Sequence, residues 1–142
     1  MDNDSTLYPL EIFIEDVPMS LRASSRHRER WKSRVAEAAR ARQRETYELG
    51  FLDNRAMAVT IYFFPNAPME GDIDNIVKPI LDGLKLVAYP DDSLIERVVA
   101  QKFEPDGGWE FSSPSDQLAA ALDTTPPVVY ILVDDELSWR RL

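Results

Sequence analysis

Residues 71–96 read GDIDNIVKPILDGLKLVAYPDDSLIE, and the order of the elements is worked out from this stretch outward. Ile76, Val77, Ile80, Leu81 and Leu84 recur at the three- and four-residue spacing of one helix face. The spacing predicts a helix over 75–88. Asp74 is placed to cap it, accepting from the free backbone N–H groups of the first turn. Pro79 falls near that turn, where a missing donor costs least. Tyr89-Pro90-Asp91-Asp92 is a turn with proline at a favoured position. Leu94 to Phe103 then reads as a strand, so the stretch is helix, turn, strand.

The flanks complete the pattern. Residues 56–65, AMAVTIYFFP, are almost continuously apolar, as expected of a central strand buried on both faces. A turn-rich segment from Pro65 to Gly71 links this strand to the helix. Residues 25–46 read as an earlier helix with a narrow apolar stripe of Trp31, Val35, Ala38 and Ala39, continuing to Arg42, and Leu49-Gly50 is its expected stop. Residues 8–16, YPLEIFIED, alternate as a strand does, and Val17-Pro18-Met19-Ser20 breaks it. Beyond Phe103, residues 104–126 are loop-like around one short helix, Ser115 to Leu122. Thr125 to Val133 supplies a fourth strand. The order βαβαβ(α)β predicts a single domain over 1–142, of the α/β (α+β) class. Its mixed four-stranded sheet would carry two main helices on one face.

Composition narrows the function. The 142 residues contain no cysteine, which excludes disulfides, thiolate catalysis and Cys-ligated zinc. No apolar run approaches the roughly 18 residues needed to cross a bilayer, and MDNDSTLYPL lacks the features of a signal peptide. The expected location is cytoplasmic, with no membrane partner. The net charge is −9, but residues 22–44 hold nine Lys or Arg against Glu29 and Glu37. That segment is +7 and the remainder −16. Screening beyond about 10 Å lets a polyanion respond to the local patch, so the basic helix suits a phosphate backbone. Arg26, Arg28, Arg30, Lys32 and Arg34 are the candidate DNA contacts. The alternative is a solvated charged face.

Asp72, Asp74, Asp91 and Asp92 crowd the two ends of the helix over 75–88. Asp74, Lys78 and Asp82 stand at i, i+4 and i+8, on one helical face opposite the apolar stripe. A lone D-x-D at a helix start is ordinary, since helix N-termini favour acids. Three clustered carboxylates are costly without a cation, and oxygen-only ligands suit Mg²⁺ or Mn²⁺. The short turn after the helix returns Asp91 or Asp92 toward its C-terminal end. A third carboxylate would then reach Asp72 through sheet twist or across a symmetric dimer.

D-I-D-N-x-x-K-P-x-x-D-G-L, then Y-P-D-D-S, then a strand ending in Lys102, resembles the RusA-type Holliday-junction resolvases. These are small dimeric Mg²⁺-dependent endonucleases. The resemblance is strongest across 71–102 and extends to the first strand, to Pro18 and Ser20, and to the basic helix. It implies that Asp72, Asp74 and Asp92 are catalytic metal-binding acids and that Lys78 is the functional lysine. Asn75 and Asp82 match further motif positions. It also implies a homodimer acting on four-way junctions in DNA recombination and repair. A C₂ dimer would match the near two-fold symmetry of such a junction. Trp109, Phe111 and Trp139 are candidate interface anchors. The chain departs from the family at Met69-Glu70, where basic residues often precede the D-x-D, and at Leu21-Arg22, where an Asn is usual. The competing function is a non-catalytic relative that senses DNA structure or binds a protein partner, which the acidic remainder of the chain would suit.

Other residues point less far. His27, the only histidine, sits at the start of the basic helix and reads as surface. Trp31 reads as core, otherwise as a stacking platform for a base. Gly107-Gly108 lacks the Lys-Ser/Thr of a phosphate loop and reads as a turn.

Overall fold

Strand alternation divides the apolar residues between two layers. In the computed structural model, which describes residues 9–46, 55–69 and 71–135, β1 (Leu10–Ile14), β2 (Met57–Phe64), β3 (Ile95–Lys102) and β4 (Val128–Asp134) form one sheet in the order β1-β4-β2-β3. β4 runs antiparallel to both β1 and β2, while β2 and β3 are parallel, so the sheet is mixed as expected. Val129, Ile131 and Val133 of β4 face one layer, and Val128, Tyr130 and Leu132 face the other.

The first layer holds α1 (Ser25–Thr46) and α2 (Val77–Leu84), which pack on each other. Trp31, Val35 and Ala39 of α1 and Ile80 and Leu84 of α2 lie buried against Ile12, Val59 and Ile61. Two main helices thus cover one face, and α1 has the bounds predicted for it. Ser24 caps it, its Oγ accepting from the N–H of His27 at 3.2 Å. The predicted stop at Leu49-Gly50 lies outside the described residues, as does Trp139. No described helix is long and apolar enough to cross a membrane.

The second face is covered by α3 (Asp116–Leu122) and by aromatic side chains from the 104–115 loop. Ser115 caps α3, accepting from Leu118 N–H at 3.1 Å. Tyr62, Phe64, Phe103, Trp109 and Phe111 meet at ring separations of 5.0–6.3 Å. Phe111 is therefore half-buried within its own chain, and Trp109 lies at the outer edge of the same cluster. This accounts for the 104–126 region as a cover for the sheet. It also leaves β2 fully buried on one face only, because Ala58, Thr60 and Tyr62 stay half-exposed beneath that cover.

The helix predicted over 75–88 is shorter. A 3₁₀ turn, Ile73–Ile76, opens it, and α2 ends at Leu84. Burial of Val87, Ala88 and Tyr89 draws the chain out of helical geometry. Lys85 is extended, Leu86 adopts φ 66°, and Tyr89 donates its hydroxyl to Leu81 O at 2.8 Å. Asp74 does not cap the helix. It lies within the 3₁₀ turn, and Asp72 holds the cap position without a side-chain bond.

α1 and α2 approach most closely at Gly83. A Cβ there would stand 2.9 Å from Val35 Cβ and 3.0 Å from the Lys32 carbonyl. Neither neighbour is a flexible side-chain end. Gly83→Ala should therefore destabilise by about 1–3 kcal/mol, although alanine gains up to about 1 kcal/mol in helix propensity elsewhere. Urea unfolding measures the difference, and a stabilised variant would refute this close packing.

Candidate active site

The two adjacent aspartates after α2 separate in role. Asp91 accepts from Ser93 N–H at 3.0 Å and pairs with Lys85 at 3.4 Å. The bonds from Ser93, reinforced by Lys85, lower its pKa to about 2. It is a turn-forming residue. Asp92 turns the other way, and its Oδ2 accepts from Lys78 Nζ at 3.0 Å. Its Oδ1 is shielded from solvent and has no hydrogen-bond partner among the described residues.

Lys78 is the hub of this arrangement. It stands in the first turn of α2, where its Nζ also meets Asp82 Oδ1 at 2.9 Å, one turn onward. Hydrogen bonds that it donates to Asp82 first and then to Asp92 raise its pKa, so the ammonium is retained. The i, i+4 pair expected on this face is present, with Asp92 added to it from the following turn.

Asp72 and Asp74 are exposed on the 3₁₀ turn, where their side chains carry no hydrogen bond among the described residues. The turn itself is fixed by backbone: Asn75 N–H donates to Asp72 O at 3.1 Å, and Leu21 N–H donates to Asn75 O at 2.9 Å. The Pro18-Met19-Ser20 segment thus lies beside the D-x-D. Val17, Pro18, Met19, Ser20 and Asp72 help to line a cavity of about 460 Å³.

Asp72 and Asp74 follow the C-terminal end of β2, whereas Asp92 precedes the N-terminal end of the parallel strand β3. Asp92 nevertheless reaches the first turn of α2, where its carboxylate meets Lys78. Among the described residues, no three His, Asp or Glu side chains converge closely enough to hold a metal ion as they stand. Lys78 and Asp92 are brought together; the D-x-D pair and Asp92 are not. The donor chemistry nevertheless fits a hard divalent cation, being all carboxylate oxygen, with Asp92 Oδ1 left without a partner.

The basic residues of α1 divide similarly. Arg28 donates to the carbonyls of Leu21 and Ala23, closing the turn before the helix. Lys32 pairs with Glu29 at 2.7 Å, and Arg34 with Asp16 at 2.5 Å. Arg26 and Arg30 are exposed with no acidic partner among the described residues. His27 is exposed too, in keeping with a surface position. Gly107 N–H donates to Glu104 O at 3.0 Å, an ordinary turn.

Glu104 was not singled out by the sequence. Its carboxylate accepts from Met69 N–H at 3.0 Å and pairs with Lys102 Nζ at 3.0 Å. Lys102 first, and then the Met69 N–H, lowers its pKa. Only the proximity of Glu104 to the end of a strand that runs beside β2 hinted at the contact.

A mixed-sheet α+β domain with an Asp-x-Asp turn, a helix lysine and a third aspartate beside that lysine defines a class of small carboxylate-bearing domains suited to phosphodiester chemistry. The family model of the endodeoxyribonuclease RusA matches residues 21–108, more than half of the chain, and the match includes Asp72, Asp74, Lys78 and Asp92. The chain belongs to the RusA endodeoxyribonuclease family, whose activity is that of a nuclease acting on DNA. No curated protein matches it closely enough to be counted as a relative.

Proposed function

We propose that this chain is a divalent-metal-dependent endodeoxyribonuclease that cuts branched DNA, four-way junctions above all, in recombination and repair. The observation that carries the reading is the division of labour between Asp91 and Asp92. One is consumed by the turn, and the other faces Lys78 with an oxygen to spare. Asp72, Asp74 and Asp92 would hold Mg²⁺ or Mn²⁺. Such an ion, when bound, activates water and neutralises charge on a phosphodiester. Lys78 keeps a positive charge at the site and can exchange a carboxylate for a phosphate or leaving oxygen. Arg26 and Arg30 would hold the DNA backbone directly, with Lys32 and Arg34 trading their surface carboxylates for phosphates. Arg28 would set the turn from which the basic helix starts.

The dispersal of the carboxylates, no three of which converge among the described residues, supports a homodimer. A two-fold arrangement offers a second Asp92 to each Asp72–Asp74 pair and gives two equal sites for paired incisions. Sedimentation at micromolar concentration tests this. A single species at the 16.2 kDa monomer mass, with and without junction DNA, would defeat it.

The reading as a whole is tested on a synthetic four-way junction. Cleavage with Mg²⁺ or Mn²⁺ that stops in a chelator is expected; binding without cleavage would leave a non-catalytic DNA-binding relative. Binding should also weaken with salt. Each phosphate contact contributes roughly −0.9 to the slope of log affinity on log salt, so five give about −4 to −5. Replacing Arg26 and Arg30 together by Gln should make that slope shallower by about 2. An unchanged slope would remove α1 from the interface.

A further inference from the structure

Resting on the reading of Asp72 as a functional carboxylate, we propose that Glu104 is a positioning residue that sets the D-x-D turn by clasping the backbone of Met69. The Glu104 carboxylate lies just beyond β3 and reaches across to the loop that follows β2. Its Oε2 accepts from Met69 N–H at 3.0 Å, and its Oε1 lies 3.4 Å from the same nitrogen. Lys102 Nζ, at 3.0 Å from Oε1, holds the carboxylate in that orientation. Two residues separate Met69 from Asp72. One of them, Gly71, has φ 83°, a left-handed conformation that redirects the chain and that glycine alone adopts without strain.

Asp72 therefore sits between two anchors. On its far side, Asn75 N–H is bonded to the Asp72 carbonyl, and Leu21 N–H to the Asn75 carbonyl. On its near side, the last described contact before Gly71 is the Glu104 clasp. Loosening that contact frees the chain to pivot at Gly71 and moves the Asp72 side chain while leaving the core intact. Met69 is half-buried, packs at the edge of the core and lines the same cavity as Asp72. Neither the Asp72 cavity nor the basic helix includes Glu104. Its effect should consequently fall on turnover and not on affinity for DNA.

The experiment compares Glu104→Ala and Glu104→Gln on a four-way junction with Mn²⁺, alongside amide hydrogen exchange at Met69. Glutamine keeps an oxygen acceptor for the N–H and loses only the charge. Glu104→Ala should lower kcat by about 10- to 100-fold, with KM for the junction within about twofold, and Glu104→Gln should recover most of the loss. Met69 amide exchange should accelerate in Glu104→Ala and stay slow in Glu104→Gln. Wild-type kcat in Glu104→Ala, equal impairment of both variants, or unchanged Met69 exchange would overturn the proposal. A wild-type protein without cleavage would instead refute the nuclease reading, and Met69 exchange would still decide the clasp.

Discussion

Asp74→Asn should abolish DNA cleavage and leave the fold untouched. A carboxylate that helps to hold a catalytic cation contributes several kcal/mol to transition-state stabilisation, so the rate should fall about a thousandfold or more. Asparagine preserves the shape and removes the anionic charge. The structure explains why stability should not follow. Asp74 is exposed, lies inside a 3₁₀ turn held by backbone bonds, and neither caps α2 nor takes part in an ion pair among the described residues. Its replacement should change unfolding free energy by no more than about 0.5 kcal/mol. Asp82→Asn makes the contrasting control. Among the described residues the Asp82 carboxylate pairs with Lys78 alone, and Lys78 retains Asp92, so a smaller loss of activity is expected there. Cleavage rates with Mn²⁺ and thermal melts on the same samples decide the matter. Full activity in Asp74→Asn would remove the D-x-D from the chemistry.

Most of the architecture was legible because periodicity reports burial. The stripe Trp31, Val35, Ala39 placed α1 to the residue, and the apolar run over 56–65 placed β2 in the interior of the sheet. Periodicity failed where tertiary contacts overrode local preference. Val87 and Ala88 fall within the predicted helix, but the burial of Val87, Ala88 and Tyr89 ends α2 four residues early. Asp74 looked like a cap because acids favour that position, yet a 3₁₀ turn moves the cap to Asp72. At the site, the i, i+4 spacing of Lys78 and Asp82 was visible in the sequence. The choice of Asp92 over Asp91 came from resemblance, and the contacts of the two residues supply a physical reason for it. The Glu104–Met69 contact joins residues 35 positions apart through a carboxylate and a backbone N–H, and no spacing rule reports such a pair.

The largest loss of stability should come from Trp31→Ala. Among the residues of α1 whose burial is described, three side chains are buried, Trp31, Val35 and Ala39, and the indole has most of their area. The opposite face of the helix is charged, and the remaining hold on α1 comes from Ala36 and Ala38 at the edge of the core and from its packing on α2. Removing a buried tryptophan side chain costs roughly 3–5 kcal/mol, a large fraction of the 5–15 kcal/mol typical of a folded domain. Trp31→Phe should cost much less, roughly 1–2 kcal/mol, and not only because it keeps an aromatic ring. Trp31 Nε1 is shielded from solvent with no hydrogen-bond partner among the described residues, so phenylalanine deletes that donor along with the lost area. At 3% exposure Trp31 cannot serve as a stacking surface for a base, and Trp31→Phe should leave DNA affinity unchanged at fixed salt. Trp31→Ala should weaken binding indirectly, because Arg26 and Arg30 are displayed by the helix that Trp31 anchors. Urea unfolding of the two variants separates the contributions. A cost below about 1 kcal/mol for Trp31→Ala would mean that α1 is held by something other than its apolar stripe.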